Sequence, residues 1–364
     1  MKYYLPNLGI LFICIMVFSS CHYKRPKPQP DLWFPLDLAT NTPIRNMHAS
    51  LTELKLVTDD EYLKLDINGN ILEQRDLELP FNFYGRPSIG EFSFIRLVRA
   101  QVAYPRPGLP DSIVQKPLME VHLTKQATQQ VYFKDIDDIA PGENISFEEF
   151  ARYTGAYNAD ESKYLLVTLN NTDPSHTVHS LFLIDLGWNV QKTAISEITV
   201  DKRIDIDLTA DTRLVSNVKF LNGNFYICAE MGAWRVDPEL GTATKLFNTW
   251  IKDAFEYEGK IYLTGFNDFD FYVSHDNGLT FGPVGNGSSL KFVEVANGVV
   301  FTQDQLGLPW KMAKPDLLSA DPLIVNKDFE DDGALYWNIK YFYNRYYIST
   351  QKKIYYTEDL QAEE

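Results

Sequence analysis

A β-hairpin recurs along the second half of this chain, and a chain that repeats a hairpin has few folds open to it. One copy lies at 218–227, where Asn222-Gly223 separates Val218-Lys219-Phe220-Leu221 from Asn224-Phe225-Tyr226-Ile227. Others lie at 254–263, around Glu258-Gly259, and at 292–301, around Asn297-Gly298. A fourth at 339–348 reads with Asn344-Arg345 in place of Asn-Gly. Asn-Gly between apolar runs marks a two-residue hairpin turn, because both turn residues take positive φ. The turn glycines at 223, 259 and 298 are 36 and 39 residues apart. Steps of that size belong to proteins built from stacked supersecondary units.

A second hairpin follows each first one. Its starts are read at Tyr62, Tyr132, Leu183, Trp234, Tyr272, Trp310 and Tyr355. Seven starts imply seven four-stranded units, and at about 45 residues each they fill about 315 residues. The expected fold is all-β, a β-propeller of seven four-stranded blades. Six blades is the competing count, since residues 92–138 are irregular and proline-rich. The aromatic share of 14% suits strands. Helix is scarce, with a capping box at Ser146-Phe147-Glu148-Glu149 opening a short helix inside a loop insertion. Few residues follow the last hairpin strand, too few for a turn and a further strand. A strand from 32–38 or 51–57 is therefore expected to complete the final blade and remove its open edge.

The first residues read as an address. Lys2 precedes an apolar run from Leu8 to Phe18, shorter than the roughly 20 residues a bilayer core requires and typical of a signal-peptide core. Val17-Phe18-Ser19-Ser20-Cys21 resembles the lipobox of bacterial lipoproteins, with Phe18 where Leu is usual. The resemblance implies cleavage before Cys21 and lipid on that residue; an ordinary secretory signal is the alternative. Lys24-Arg25-Pro26-Lys27-Pro28-Gln29-Pro30 is an extended tether whose cations suit an anionic membrane surface. Surface-exported lipoproteins of Bacteroidetes carry acidic residues at this place, so the basic ones favour an outer-membrane anchor facing the periplasm. The organisation is then a signal at 1–20, lipidated Cys and tether at 21–31, and one domain at 32–364. Cys14 and Cys21 fall in the leader and anchor, leaving Cys228 unpaired as a buried small hydrophobe.

Ser274-His275-Asp276-Asn277-Gly278-Leu279-Thr280-Phe281 resembles the Asp-box of BNR and sialidase-type propellers, as a single copy. The resemblance gives Ser274, Asp276, Gly278, Thr280 and Phe281 a structural role away from any active face. Asp276 is expected to accept backbone N–H groups within the turn, Gly278 to supply positive φ, and Phe281 to pack between sheets.

Chemical motifs are few. The sequence has no Gly-x-Ser-x-Gly, no phosphate-binding Gly-rich loop and no His-Glu-x-x-His. His176 and His179 sit on a loop and strand, the acidic run 135–143 reads as a solvated loop, and neither a metal nor a cofactor is implied. Arg86-Pro87 resembles the arginine-proline of sialidases only faintly, and Asp111-Ser112-Ile113 resembles a periplasmic O-glycosylation motif. With 49 acidic against 34 basic residues, a net charge of -15 argues against a nucleic-acid partner. A non-catalytic, membrane-anchored propeller that presents a face to a glycan or a protein is the favoured class, and a monomer is expected. A sialidase-like glycoside hydrolase on the same fold is the alternative. The loops between second and third strands and between blades share one face. They gather Glu230, Asn267, Asp268, Asp304 and Gln305 with Trp250 and Tyr336, amides and carboxylates beside aromatic planes that suit sugar rings.

Overall fold

A computed structural model describes residues 33–364 apart from 37, 39, 41, 78–86, 107–108, 126–129, 136–138, 140–153, 168–177, 208–214, 285–286, 326–337, 351–352 and 362–364. Residues Trp33–Glu364 form one compact unit. Seven four-stranded antiparallel sheets make up the unit. Blade 1 comprises Asn46–Ala49, Leu54–Val57, Glu61–Leu65 and Ile71–Asp76, and blade 2 Ser88–Ile89, Ser93–Arg106, Leu109–Leu123 and Val131–Asp135. Blade 3 holds Thr154–Tyr157, Lys163–Val167, Val178–Trp188 and Ile195–Asp207, and blade 4 Val215–Leu221, Asn224–Ala229, Gly232–Asp237 and Thr242–Phe247. Blade 5 holds Ile251–Tyr257, Lys260–Gly265, Phe271–Ser274 and Gly282–Pro283, and blade 6 Phe292–Ala296, Val299–Gln303, Lys311–Ala313 and Ala320–Pro322. Blade 7 takes Asn338–Phe342, Arg345–Ser349 and Ile354–Thr357 from the end of the chain and Phe34–Pro35 from its beginning. The first strand of each blade touches the first strand of the next, right round to blade 1, so these seven strands line a central channel.

The core lies between blades. Apolar clusters join blades 3 and 4 through Leu165, Leu183, Phe225 and Trp234, blades 4 and 5 through Tyr226, Ala254 and Leu263, and blades 7 and 1 through Tyr347, Ile354, Leu56 and Leu63. Each blade packs on both faces, so its middle strands are buried without alternation; Lys163–Val167 and Asn224–Ala229 are buried at every position but the first. Outer strands such as Thr242–Phe247 meet solvent and carry the polar residues. Burial on both faces lets strands built from Val, Ile, Leu, Tyr and Phe persist without a polar side.

Seven blades are present, not six. The irregular stretch that favoured six is blade 2, whose second and third strands form a long hairpin paired from Ser93↔Leu123 to Arg106↔Leu109. Tyr132 opens no second hairpin; it lies in that blade's outer strand, Val131–Asp135. In blade 7 the turn is Tyr343-Asn344, because Phe342 pairs with Arg345. Both turn residues have positive φ, 45° and 61°, matching Asn222 at 45° with Gly223 at 84°. The closing strand comes from the earlier of the two expected regions, while Leu54–Val57 is the second strand of blade 1. The capping box at 146–149 lies outside the described residues.

Candidate functional site

Each channel-lining strand starts on the face that carries the blade-to-blade loops, and there an Asn or Asp recurs. Asn46, Asn217 and Asp253 each accept, through Oδ1, the N–H of the residue that follows, at 2.8, 2.9 and 2.8 Å. The rest of each side chain reaches the next blade. Asn46 Nδ2 donates to Pro87 O at 2.7 Å, Asn217 Nδ2 to Asp253 Oδ1 at 2.9 Å, and Val293 N donates to Asp253 Oδ2 at 2.7 Å. Ser88 continues the pattern by donating to Gly155 O at 2.9 Å. These side chains tie neighbouring blades at the channel, where no backbone ladder links them.

Asp253 is 1% exposed and also receives Lys219 Nζ at 2.9 Å. Burial pushes its carboxyl up, against the pull of Lys219 and of the N–H donors from Val293 and Ala254. One blade further on, Lys340 pairs with Glu294. His48, also on a channel strand, is held down to about 4 by burial and by Lys55 and Lys340. Together these strands enclose a cavity of about 190 Å³ lined by Asn46, Ser88, Asn217, Lys219, Asp253, Glu294, Asn338 and Lys340, with Phe292, Leu306 and Trp310 at one side. Its cations and carboxylates are paired with one another, and its described lining has no arginine. Arg86 lies outside the described residues. Among the described residues no group of three or more His, Cys, Asp or Glu could hold a metal.

None of the candidate binding-face residues Glu230, Trp250, Asn267, Asp268, Asp304 and Gln305 lines this cavity. These six lie in the loops of blades 4, 5 and 6. Trp250 stacks on Phe266 at 4.6 Å and 7°, and its indole N–H donates to Ser216 Oγ at 3.2 Å. Asp268 pairs with Lys291 at 2.8 Å and Asp304 with Lys311 at 2.7 Å. Asn267 Nδ2 donates to Asp270 Oδ2 at 3.1 Å, and Gln305 O accepts from Leu308 N at 3.2 Å. Glu230 sits in the short turn between the second and third strands of blade 4. Tyr336 lies outside the described residues. The sequence reading missed Asn46, Asn217, Asp253 and Asn338. A signal existed: Asn217, Asp253 and Asn338 directly precede three of the four hairpin copies it found.

The turn at 274–281 is on the opposite side of the ring, with the Asn-Gly hairpins. Asp276 Oδ1 accepts from Ser274 Oγ at 2.7 Å and Thr280 N at 2.8 Å, and Thr280 Oγ1 donates to Asp276 Oδ2 at 2.5 Å. The Thr280 hydroxyl and N–H hold the Asp276 carboxyl down to about 2. Gly278 has φ 79°, and Asn277 Nδ2 donates to Asn222 O of the blade 4 hairpin at 3.4 Å. Phe281 meets Phe247 of blade 4 edge-on at 5.8 Å. Cys228 is buried, which pushes its thiol well up.

No family model matches the sequence, and no curated protein matches it. Solved structures do. YCF48 bound to a D1 peptide is similar with a TM-score of 0.54 and 12% identity, covering 92% of this chain and 96% of that one. PorZ, a bacterial surface component of the type-IX secretion system of Porphyromonas gingivalis, is similar with a TM-score of 0.50 and 11% identity. So is the extracellular domain assigned to a hybrid two-component system of B. thetaiotaomicron, with a TM-score of 0.50 and 10% identity. This chain covers 39% and 40% of those two longer chains and is itself matched over 91% and 90%. At such identities the likeness concerns the fold, and the class of protein is a seven-bladed β-propeller.

Proposed function

We propose that this chain is a non-catalytic propeller of the bacterial cell envelope, anchored by lipid on Cys21, that holds a segment of a partner protein on the face bearing the blade-to-blade loops. The observation that carries the reading is a set of exposed apolar side chains on two neighbouring loops, one of which, Leu306, lines the cavity. Phe266 and Phe269 on the blade 5 loop are 53% and 79% exposed, and Leu306 and Leu308 on the blade 6 loop are 44% and 41% exposed. Contiguous exposed apolar side chains on neighbouring loops mark interaction sites. A propeller of the same fold bound to a peptide supports the same reading. Stacking of Trp250 on Phe266 engages one face of the indole, which weighs against the sugar-binding alternative. The lysine-carboxylate pairing of the cavity weighs against glycoside hydrolysis, which uses carboxyl groups free to exchange protons and to attack.

Replacing Phe269→Ser with Leu306→Ser should abolish photo-crosslinking of the wild-type protein to its envelope partner. Leu240→Ser with Leu279→Ser, on the opposite face, should leave the crosslink intact. Loss of the crosslink in the second variant alone would put the partner on the other side of the ring. Cys21→Ser should move the protein from the membrane pellet to the soluble fraction, and retention in the pellet would refute the anchor.

A further inference from the structure

We infer that Lys252 is the specificity element of this face: it receives a carboxylate of an acidic, apolar peptide segment whose bulky side chain rests on the Phe266, Phe269 and Leu306 loops. The inference rests on the partner-binding reading above and adds the chemistry of the partner.

The channel strand of blade 5 is bulged at this position. Ile251 pairs with Gly265 and Asp253 with Thr264, so Lys252 has no partner in the ladder. Blade 4 has the same irregularity, between Val215↔Ala229 and Asn217↔Cys228, which leaves out Ser216. A bulge re-aims a side chain that the strand's alternation would have sent elsewhere, and bulges gather beside functional sites. Here the two bulged residues serve one structure. Ser216 Oγ accepts the indole N–H of Trp250 at 3.2 Å, Trp250 stacks on Phe266, and Lys252 Nζ lies 3.7 Å from the Trp250 ring centre and 5.2 Å from that of Phe266. Phe292, which lines the cavity, is 5.5 Å from the same ammonium.

Lys252 is therefore fixed in place and half-buried, and among the described residues no carboxylate lies within ion-pair distance of it. The nearby charges have other partners or greater distance: Lys291 pairs with Asp268, Lys219 with Asp253, and Glu230 acts on Lys252 only through space. Burial and the neighbouring Lys291 disfavour the charged ammonium. A carboxylate placed there would relieve both. A neighbouring apolar side chain of the same segment would cover Phe269, the most exposed aromatic of this loop.

The test uses short immobilised peptides in matched pairs, each with a central Phe-Asp or Leu-Glu step or the same step with Asn or Gln. The full-length protein should be retained about tenfold more on the acidic member, as expected for one charge-assisted contact. Lys252→Gln should erase that preference while keeping retention on the neutral peptides, and Lys252→Arg should preserve it. An acid preference that survives in Lys252→Gln, or a wild type that favours the amides, overturns the inference. Phe269→Ser with Leu306→Ser separates the two readings: if it loses every peptide the face is right, and only the role of Lys252 is then at stake. Retention of all peptides by that variant, or of none by the wild type, overturns both. Unchanged melting temperatures of the Lys252 variants exclude a folding effect.

Discussion

A chain beginning at residue 39 is expected to melt roughly 10 °C below the full domain and to aggregate on heating. The segment it lacks closes the ring. Phe34 pairs with Tyr356 and Pro35 with Tyr355, and Leu36 N donates to Ile354 O at 2.8 Å. Without them the strand Ile354–Thr357 becomes an open edge, which invites pairing with other chains. Leu36 and Leu38 also pack on the cluster that joins blades 7 and 1. Trp33, 1% exposed, donates its indole N–H to Ile324 O at 3.1 Å and so fastens the closing segment to the chain after blade 6. Trp33→Ala alone should cost about 3–5 kcal/mol, the usual loss for truncating a buried aromatic. Thermal melts and light scattering check both statements, and a truncated chain that melts with the full domain would show that closure carries no stability.

Asp253→Ala should be nearly as damaging, at about 3–5 kcal/mol in urea unfolding. The variant leaves Lys219 with only the Val293 carbonyl and no counter-charge, deprives Val293 and Ala254 of their N–H acceptor, and frees Asn217 from the neighbouring blade. Buried groups left without partners cost more than their bonds contribute when made. Asp253→Asn keeps one acceptor oxygen and should lose roughly half as much. Lys219→Met in the Asp253→Ala background should recover part of the loss, since an unpaired ammonium is then removed. An Asp253→Ala variant within about 1 kcal/mol of wild type would mean that the channel tie is dispensable.

Which parts were legible follows from the range of the interactions involved. Asn222-Gly223, Glu258-Gly259 and Asn297-Gly298 identify their own turns, because positive φ at two adjacent residues is a local demand. Tyr343-Asn344 was misplaced by one residue because Tyr at positive φ carries no such signature, and only the pairing of Phe342 with Arg345 sets it. Blade 2 looked irregular because its prolines lie in a long hairpin, not because a blade is missing there. Asp268 and Asp304 looked like ligand contacts, yet Lys291 and Lys311 take them up, and those partnerships depend on loop conformation.

The hairpin repeat, its turn chemistry and the need for a strand from the other end of the chain to close the ring are properties of the sequence by itself, since each rests on residues close along the chain or on a count of strands. The channel and its rim belong to the tertiary structure. Asn217 meets Asp253 across 36 residues and Lys219 meets the Val293 carbonyl across 74. Bulges at Ser216 and Lys252 overturn the two-residue alternation by which a strand assigns its side chains to faces. An Asn or Asp ahead of three of the four hairpin copies is visible in the sequence, but the neighbour each one binds and the side chain a slip in register re-aims appear only when the seven sheets stand around one axis.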